Sequence, residues 1–321
     1  MEDRQAKANR EGALGWIRCM EAGDFPGIFR LHSEDVVVNL LGTTPVSGHV
    51  VGRDTYFEYT NTEIMGGLDP TQEPWLKGWR LACVDHNAAA IFFHGSFPPK
   101  DGHPDGRYEQ NYLAVAQACE GIIYKLTEMA DTAMIEKAAY RRRLQTPRSK
   151  PESPYDLSLE RGLQEGKGSR ERNIRLAEDW MRALGQNDMR AYEDMLHTDL
   201  VSNIVGWTPY SGRRRGRDAY MGCDFDFHSS KKIRSGRDFG TRYRLMCADE
   251  NGFCLLMRGG GVLTNGTLFD QFYSIVATVV DDRISELHIH FDTAKAENLI
   301  FDNPYTNPPS KTSPHKQFSI Y

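Results

Sequence analysis

Three things are missing from these 321 residues. There is no C-x-x-C pair: the six cysteines (Cys19, Cys83, Cys119, Cys223, Cys247, Cys254) stand apart, most of them in apolar segments, which argues against a zinc site or a disulfide framework and for buried free thiols. There is no apolar run near the roughly eighteen residues that a membrane span needs. The opening Met1-Glu2-Asp3-Arg4 is charged, with no apolar signal core behind it, so a cytoplasmic protein with no membrane partner is expected. An excess of positive charge is also lacking. The net charge of −5 argues against a nucleic-acid partner, and the clusters Arg141, Arg142, Arg143 and Arg213, Arg214, Arg215, Arg217 read as solvated faces. What is present, 40% hydrophobic and 26% charged residues, is the composition of an ordinary globular chain long enough for two cores.

The chain uses its plan twice. At an offset of 161, Gln110 falls on Gln271, Tyr112 on Tyr273, Asp131 on Asp292 and Glu136 on Glu297. Nearer the start the offset is 164, pairing Trp16 with Trp180, Asp24 with Asp188, Asp35 with Asp199, Asn39 with Asn203, Gly42 with Gly206, Arg80 with Arg244, Cys83 with Cys247 and Asp85 with Asp249. The slip of three falls after Gly95, as a duplicated fold allows in a loop. One substitution inside the repeat bears on function: Glu128 lies opposite Ile289.

Ile174, Ala177, Met181 and Leu184 have helical spacing, as do their partners, so each copy opens with an amphipathic helix. Asp24 and Asp188 make suitable N-caps for a shorter second helix. Residues 36–41 and 200–205 read as buried strands closed by a Gly and Pro turn, and Gly52-Arg53-Asp54 and Gly216-Arg217-Asp218 introduce a third helix. Segments 78–85, 88–95, 107–117 and 121–130 then read as strands joined by tight turns, which means an antiparallel meander. The expected fold is α+β: two tandem cone-shaped half-barrels, each a curved antiparallel sheet wrapped around about three helices. The domains are read as 1–144 and 169–302, with a proline-bearing linker at 145–168 and an extended tail at 303–321.

The stretches Asp35-Val-Val-Val-Asn-Leu-Leu-Gly-Thr-Thr-Pro-Val-Ser-Gly48, Tyr108-Glu-Gln-Asn-Tyr112 and Leu126-Thr-Glu-Met-Ala-Asp-Thr132, in this order of elements, resemble the nuclear transport factor 2-like superfamily. Its SnoaL-like branch includes ketosteroid isomerases, polyketide cyclases, epoxide hydrolases, dehydratases and the phenazine-biosynthesis A/B proteins. The resemblance spans nearly the whole chain as two tandem domains and implies a conical pocket in each. It places Glu128 where phenazine-type members carry the acid of an R-E-Y-x-D-type signature. Asn39 and Asn203 fall where the isomerases carry their aspartate base, and Gln110 and Gln271 where many relatives have Asn.

Alternation along the last strand puts Leu126, Glu128 and Ala130 on one face, so Glu128 is expected to have its pKa raised by apolar company and to act as general acid or base. The competing reading pairs it with Arg80 as a structural ion pair. Arg80 and His94 are further catalytic candidates, and Asn39, Tyr56, Trp79, Tyr108 and Tyr112 are candidates for substrate binding; packing explains the aromatics equally well. His288-x-His290 with Asp292 invites a metal reading, but no third ligand stands at convincing spacing, so no metal is expected. The resulting expectation is a cofactor-independent lyase, dehydratase, isomerase or cyclase acting on a small, largely apolar or aromatic oxygenated substrate in the first pocket. The two domains would pair intramolecularly, alone or within a homodimer. Two alternatives stand beside it: a non-catalytic binding or scaffolding protein, and activity in the second copy through Asp226, His228 or Asp270.

Overall fold

The computed structural model describes residues 3–63, 75–98, 108–146, 162–163, 168–228 and 232–306, with backbone only for 162–163 and 224–228. Most of the expected linker, the tail beyond residue 306, and the side chains of Asp226 and His228 lie outside it.

The first unit runs α1 (Arg4–Ala22), α2 (Phe25–Arg30), β1 (His32–Leu41), β2 (Gly48–Val51), α3 (Arg53–Glu63), β3 (Leu76–Val84), β4 (Ala89–Phe97), β5 (Tyr108–Cys119), β6 (Ile122–Ala130) and α4 (Thr132–Ala138). A two-residue strand, β7 (Gly162–Leu163), follows. The second unit repeats the plan as α5 (Arg170–Gln186), α6 (Met189–Asp194), β8 (Leu196–Ile204), β9 (Gly212–Arg215), α7 (Arg217–His228), β10 (Ile233–Ala248), β11 (Gly252–Leu263), β12 (Leu268–Val280), β13 (Arg283–Phe291) and α8 (Thr293–Leu299). The α+β class and the two sheet-and-helix units are as expected, and neither sheet closes into a barrel. Asp24 and Asp188 do cap α2 and α6, accepting from Gly27 N and Ala191 N. Among the described residues no helix is long and apolar enough to cross a membrane.

The sheets are ordered β2-β1-β6-β5-β4-β3-β7 and β10-β11-β12-β13-β8-β9. The meanders are antiparallel, but β1 lies parallel to β6 and β8 parallel to β13. The reason is connectivity: β1 and β6 are separated by a helix and a full meander, long enough for the crossover that a parallel pair requires. The short strands β2 and β9 and the helices α4 and α8 are additional to the sequence reading.

Each sheet is apolar on both faces. On the inner face of the first, Trp16, Ile17 and Met20 of α1 pack on Leu81, Ile91, Phe93, Ala114 and Leu126. Trp180, Met181 and Leu184 of α5 do the same on Leu255, Ile275, Leu287 and Ile289. The outer faces meet each other, burying Phe92, Leu113, Val115 and Met129 against Met246, Leu256, Phe272 and Val276. Each such side chain contributes about 1.5–3 kcal/mol when fully buried, so this back-to-back layer ties the units firmly.

The contacts across that layer are reciprocal. Asp249 Oδ2 accepts from Val84 N at 2.8 Å, and Asp85 Oδ2 from Ala248 N at 3.2 Å. Cys83 and Cys247 meet with their sulfurs 3.1 Å apart, each thiol directed at the other's carbonyl. Beyond the sheets, Leu144 and Tyr305, another pair at offset 161, form an antiparallel bridge. Residue i of one unit touching j of the other, and j touching i, is the signature of a two-fold interface, here made by one chain with itself.

Candidate active site

Strand alternation sorts the sequence-predicted residues onto two faces of the first sheet. Glu128 pairs in register with Ala114 and Leu40, and Ala114 with Ile91, which places its side chain on the inner face beneath α1 and α3. Tyr56 of α3 reaches it, its hydroxyl donating to Glu128 Oε2 at 3.3 Å. Burial pushes the Glu128 carboxyl up to about 7, with the Tyr56 hydrogen bond opposing only in part. Burial, and then the adjacent Glu128, push the Tyr56 phenol well up, so it remains a donor at neutral pH.

Tyr108 and Tyr112 lie on this inner face, their hydroxyls 3.0 Å apart. Gln110 Nε2 donates to Tyr108 Oη at 3.3 Å, and either hydroxyl of the Tyr108–Tyr112 pair can donate to the other. Burial raises the Tyr108 phenol to about 12 and holds it protonated. Phe93 stacks on Tyr112 with ring centroids 4.5 Å apart, and Trp75 packs edge-on to both. Trp79 also points inward, but its indole N–H is held by Glu21 at 3.0 Å at the end of α1.

The structure does not bring Arg80, His94 and Asn39 to Glu128. In β3 the inward residues are Trp79 and Leu81, in β4 Ile91 and Phe93, and in β1 Val36 and Val38. Arg80 falls between Trp79 and Leu81, Asn39 follows Val38 and His94 follows Phe93, so alternation turns all three to the outer face of the sheet. Arg80 donates to Glu286 Oε2 and meets His288 Nε2, each at 2.9 Å, rather than pairing with Glu128. Asn39 is fully buried, donating to Thr127 Oγ1 at 3.2 Å with His49 Nδ1 at 2.8 Å from its carbonyl oxygen. His94 follows Phe92 on the outer face. His288 and His290 lie on the corresponding face of the second sheet, against Phe92 at 4.1 and 6.4 Å between ring centroids. Among the described residues no three His, Cys, Asp or Glu side chains converge as metal ligands.

One inner-face residue is absent from the sequence reading. His32, at the start of β1, is 1% exposed, with its ring 5.9 Å from that of Tyr56. Its Nδ1 lies 2.8 Å from the Ile28 carbonyl, which only accepts, so Nδ1 carries the proton and Nε2 is a buried acceptor with no partner among the described residues. Burial lowers its pKa and keeps the ring neutral. The signal for it lay in the repeat, because at offset 164 His32 falls opposite Leu196. Three polar groups of the first interior are thus apolar in the second: His32, Tyr108 and Glu128 stand opposite Leu196, Phe269 and Ile289, all three fully or nearly fully buried. Tyr56 and Tyr112 persist as Tyr220 and Tyr273, with Tyr220 bonded to Tyr192 at 2.8 Å.

Asp270, a candidate for the second copy, lies on the outer face of the second sheet and is engaged by Arg242 at 3.2 Å and Arg258 at 2.8 Å. An open cleft of about 480 Å³ lined by Arg10, Asp85, His86, Arg170 and Asp249 lies at the junction of the units, away from Glu128.

No family model matches the chain, and no curated protein matches it. Among solved structures, the chain is similar to an NTF2-like protein of Burkholderia xenovorans LB400, with 18% identity over 41% of this chain and 98% of that one, at a TM-score of 0.34. It is similar to a Bacillus subtilis protein provisionally named an isomerase, with 16% identity over 41% and 94% of the two chains, at a TM-score of 0.33. It is also similar to a Mesorhizobium loti protein provisionally named a SnoaL-like polyketide cyclase, with 15% identity over 36% and 97%, at a TM-score of 0.31.

Proposed function

We propose that the first unit is the catalytic half of a cofactor-independent acid/base enzyme acting on a small, largely apolar or aromatic oxygenated substrate. The reaction is a proton transfer of the lyase, dehydratase, isomerase or cyclase type. The observation that carries this reading is the one-sided loss of His32, Tyr108 and Glu128 from an otherwise duplicated interior. Groups needed for folding would serve both copies; groups needed for chemistry serve the copy that performs it.

In this reading Glu128 is the proton carrier. A carboxyl with a pKa near 7 is populated in both protonation states at neutral pH, which is the condition for efficient general acid–base catalysis. Tyr56 holds the carboxylate in place and stabilises its ionised form. Tyr112, with Tyr108 behind it, donates to the substrate oxygen on which negative charge develops, in a site where desolvation strengthens such a bond. His32 Nε2 accepts from a substrate hydroxyl and orients it, and the stacked Phe93, Tyr112 and Trp75 supply an aromatic wall. Arg80 and Asn39 are assigned to the joint between units and His94 to the outer face of the first sheet, not to the substrate.

The test needs no knowledge of the natural substrate. Deuterium exchange at the α-carbon of 2-tetralone, a small enolisable aromatic ketone, is followed by proton NMR in heavy water with wild-type protein, Glu128→Gln and Tyr112→Phe. Catalysed exchange that falls by roughly 10²–10⁴-fold in Glu128→Gln and by a lesser factor in Tyr112→Phe supports the assignment. Exchange that is equal in wild type and Glu128→Gln, or ketone binding with no exchange across pH 6 to 9, removes it in favour of a binding module.

A further inference from the structure

The joint between the units is two-fold in shape but not in charge. On one side Glu286 sits at its centre. Its carboxylate takes a hydrogen bond from Arg80 at 2.9 Å and from Asn203 Nδ2 at 3.2 Å, with His288 Nε2 at 2.8 Å, and Arg213 braces Asn203 through Nε to Oδ1 at 2.8 Å. The two offsets of the repeat name the equivalent positions on the other side: Arg244 for Arg80, Asn39 for Asn203, His49 for Arg213, Thr127 for His288 and Lys125 for Glu286.

The scaffold is kept there. Asn39 Nδ2 reaches Thr127 Oγ1 at 3.2 Å, where Asn203 reaches His288, and His49 Nδ1 braces Asn39 Oδ1 at 2.8 Å, where Arg213 braces Asn203. Lys125 and Thr127 alternate with the inward Leu126 and Glu128, so both face the second unit, as Glu286 and His288 face the first. Arg244 lies between the inward Tyr243 and Leu245 on β10, as Arg80 lies between Trp79 and Leu81 on β3. What has gone is the carboxylate. A lysine stands in its place opposite an arginine, and neither has an ion-pair partner among the described residues. The two cations are close enough that Lys125, already disfavoured as a cation by partial burial, is lowered further by Arg244.

We infer that the Lys125–Arg244 side of the joint is a binding site for a small multiply charged oxyanion, which takes the place that the Glu286 carboxylate occupies on the opposite side. The site offers a guanidinium, an ammonium and the Thr127 hydroxyl, whose oxygen already accepts from Asn39 so that its own proton is directed elsewhere. Arg244 is exposed and Lys125 and His49 half-buried, so the anion enters from solvent at the edge of the joint. This site is on the opposite face of the sheet from Glu128 and does not depend on the catalytic reading.

The probes are inorganic phosphate and malonate, each compared with chloride at matched ionic strength, by thermal denaturation and by calorimetric titration of the full chain. Wild type should gain stability and bind at least one of them; whichever binds more tightly distinguishes a phosphate from a dicarboxylate as the natural chemistry. Lys125→Glu rebuilds the carboxylate of the other side, so it should raise the melting temperature in chloride and weaken oxyanion binding by tenfold or more. Arg244→Gln, at an exposed position that leaves the fold alone, should weaken binding to the same degree without the gain in melting temperature. No selective response of wild type over chloride, or an equal response in wild type and Arg244→Gln, overturns the site.

Discussion

Glu128 links the candidate site to the stability of the fold, because its surroundings disfavour its charged form. With a folded pKa near 7 against an ordinary 4.5, the native state binds the proton more tightly than the unfolded chain does. Its contribution is therefore undiminished below about pH 4.5, falls as pH rises towards 7, and stays lost above that. Glu128→Gln removes the penalty, and at pH 8 the variant should be the more stable by on the order of 2 kcal/mol, with the two proteins converging below about pH 5. Denaturant melts at the two pH values check this; a constant difference at all pH would mean the carboxyl is not desolvated. His32→Leu installs the residue that the second unit carries at this place. It should keep or slightly raise the melting temperature, since it removes a buried acceptor without a partner, while lowering ketone exchange at least tenfold. At this scale the inner face was legible where alternation was applied, as for Leu126, Glu128 and Ala130. Applied equally to β1, β3 and β4, it separates Asn39, Arg80 and His94 from Glu128, since each adjoins an inward apolar residue. His32 was hidden for a different reason. It lies at a strand end with no run of alternation before it, and only comparison with Leu196 sets it apart.

The elements that follow the last strands show how a short motif can serve a partner instead of its own helix. Asp131 caps α4, accepting from Ala133 N at 3.1 Å and Met134 N at 3.3 Å, and Asp292 caps α8, accepting from Lys295 N at 3.1 Å. The threonines that follow are exchanged between the units. Thr132 donates to Asp292 at 2.7 Å and accepts from Ala294 N at 2.9 Å, while Thr293 donates to Asp131 and accepts from Ala133 N at 2.9 Å. Room for this is made by Gly42 and Gly206, both at positive φ, where a Cβ would come within 2.6 Å of the Thr132 and Thr293 methyl groups. Thr132→Val and Thr293→Val should each cost about 1–3 kcal/mol, because each leaves a buried amide and a buried carboxylate short of a partner. The double variant should cost less than the sum by about 1 kcal/mol, because the hydroxyls lie 3.3 Å apart and serve one network. Additive losses in urea melts would mean the two caps act independently. The Asp-Thr repeat was visible in the sequence, and an Asp before a run ending in Lys137 is a helix start, yet α4 and α8 were not read from it. Their seven residues are too short for a periodic signal, and they are held by packing on the sheets and on each other.

At the scale of the whole molecule, duplication has given one chain the architecture of a two-fold dimer, and with it the freedom to differ between halves. A homodimer must repeat every substitution on both sides of its axis; a tandem chain need not. The inner faces diverge at His32, Tyr108 and Glu128, and the joint diverges at Lys125 and Glu286. The tandem plan was legible because the offset of 164 pairs Asp85 with Asp249 and Cys83 with Cys247, all of which the structure places at the joint. Its charge asymmetry was not, because Glu286 lies far along the chain from Arg80 and only the folded sheets bring them together. That asymmetry predicts unequal effects from equivalent substitutions. Burial raises the Glu286 carboxyl, but the hydrogen bond and charge of His288 and then the charge of Arg80 outweigh it and hold its pKa at about 2, so it is ionised at neutral pH. Arg80→Met leaves that carboxylate half-buried without its permanent cation and should cost about 2–3 kcal/mol at pH 7. The group's pKa is depressed on folding, so the stabilisation lost in the variant is present above about pH 4.5 and fades as pH falls towards 2. The gap between wild type and Arg80→Met should close over that same interval. Arg244→Met, at the equivalent place, removes a cation facing another cation and should change stability by less than about 0.5 kcal/mol in chloride buffer. Equal losses from the two substitutions would mean that each arginine contributes through its methylene packing alone and that the joint is symmetric in energy as well as in shape.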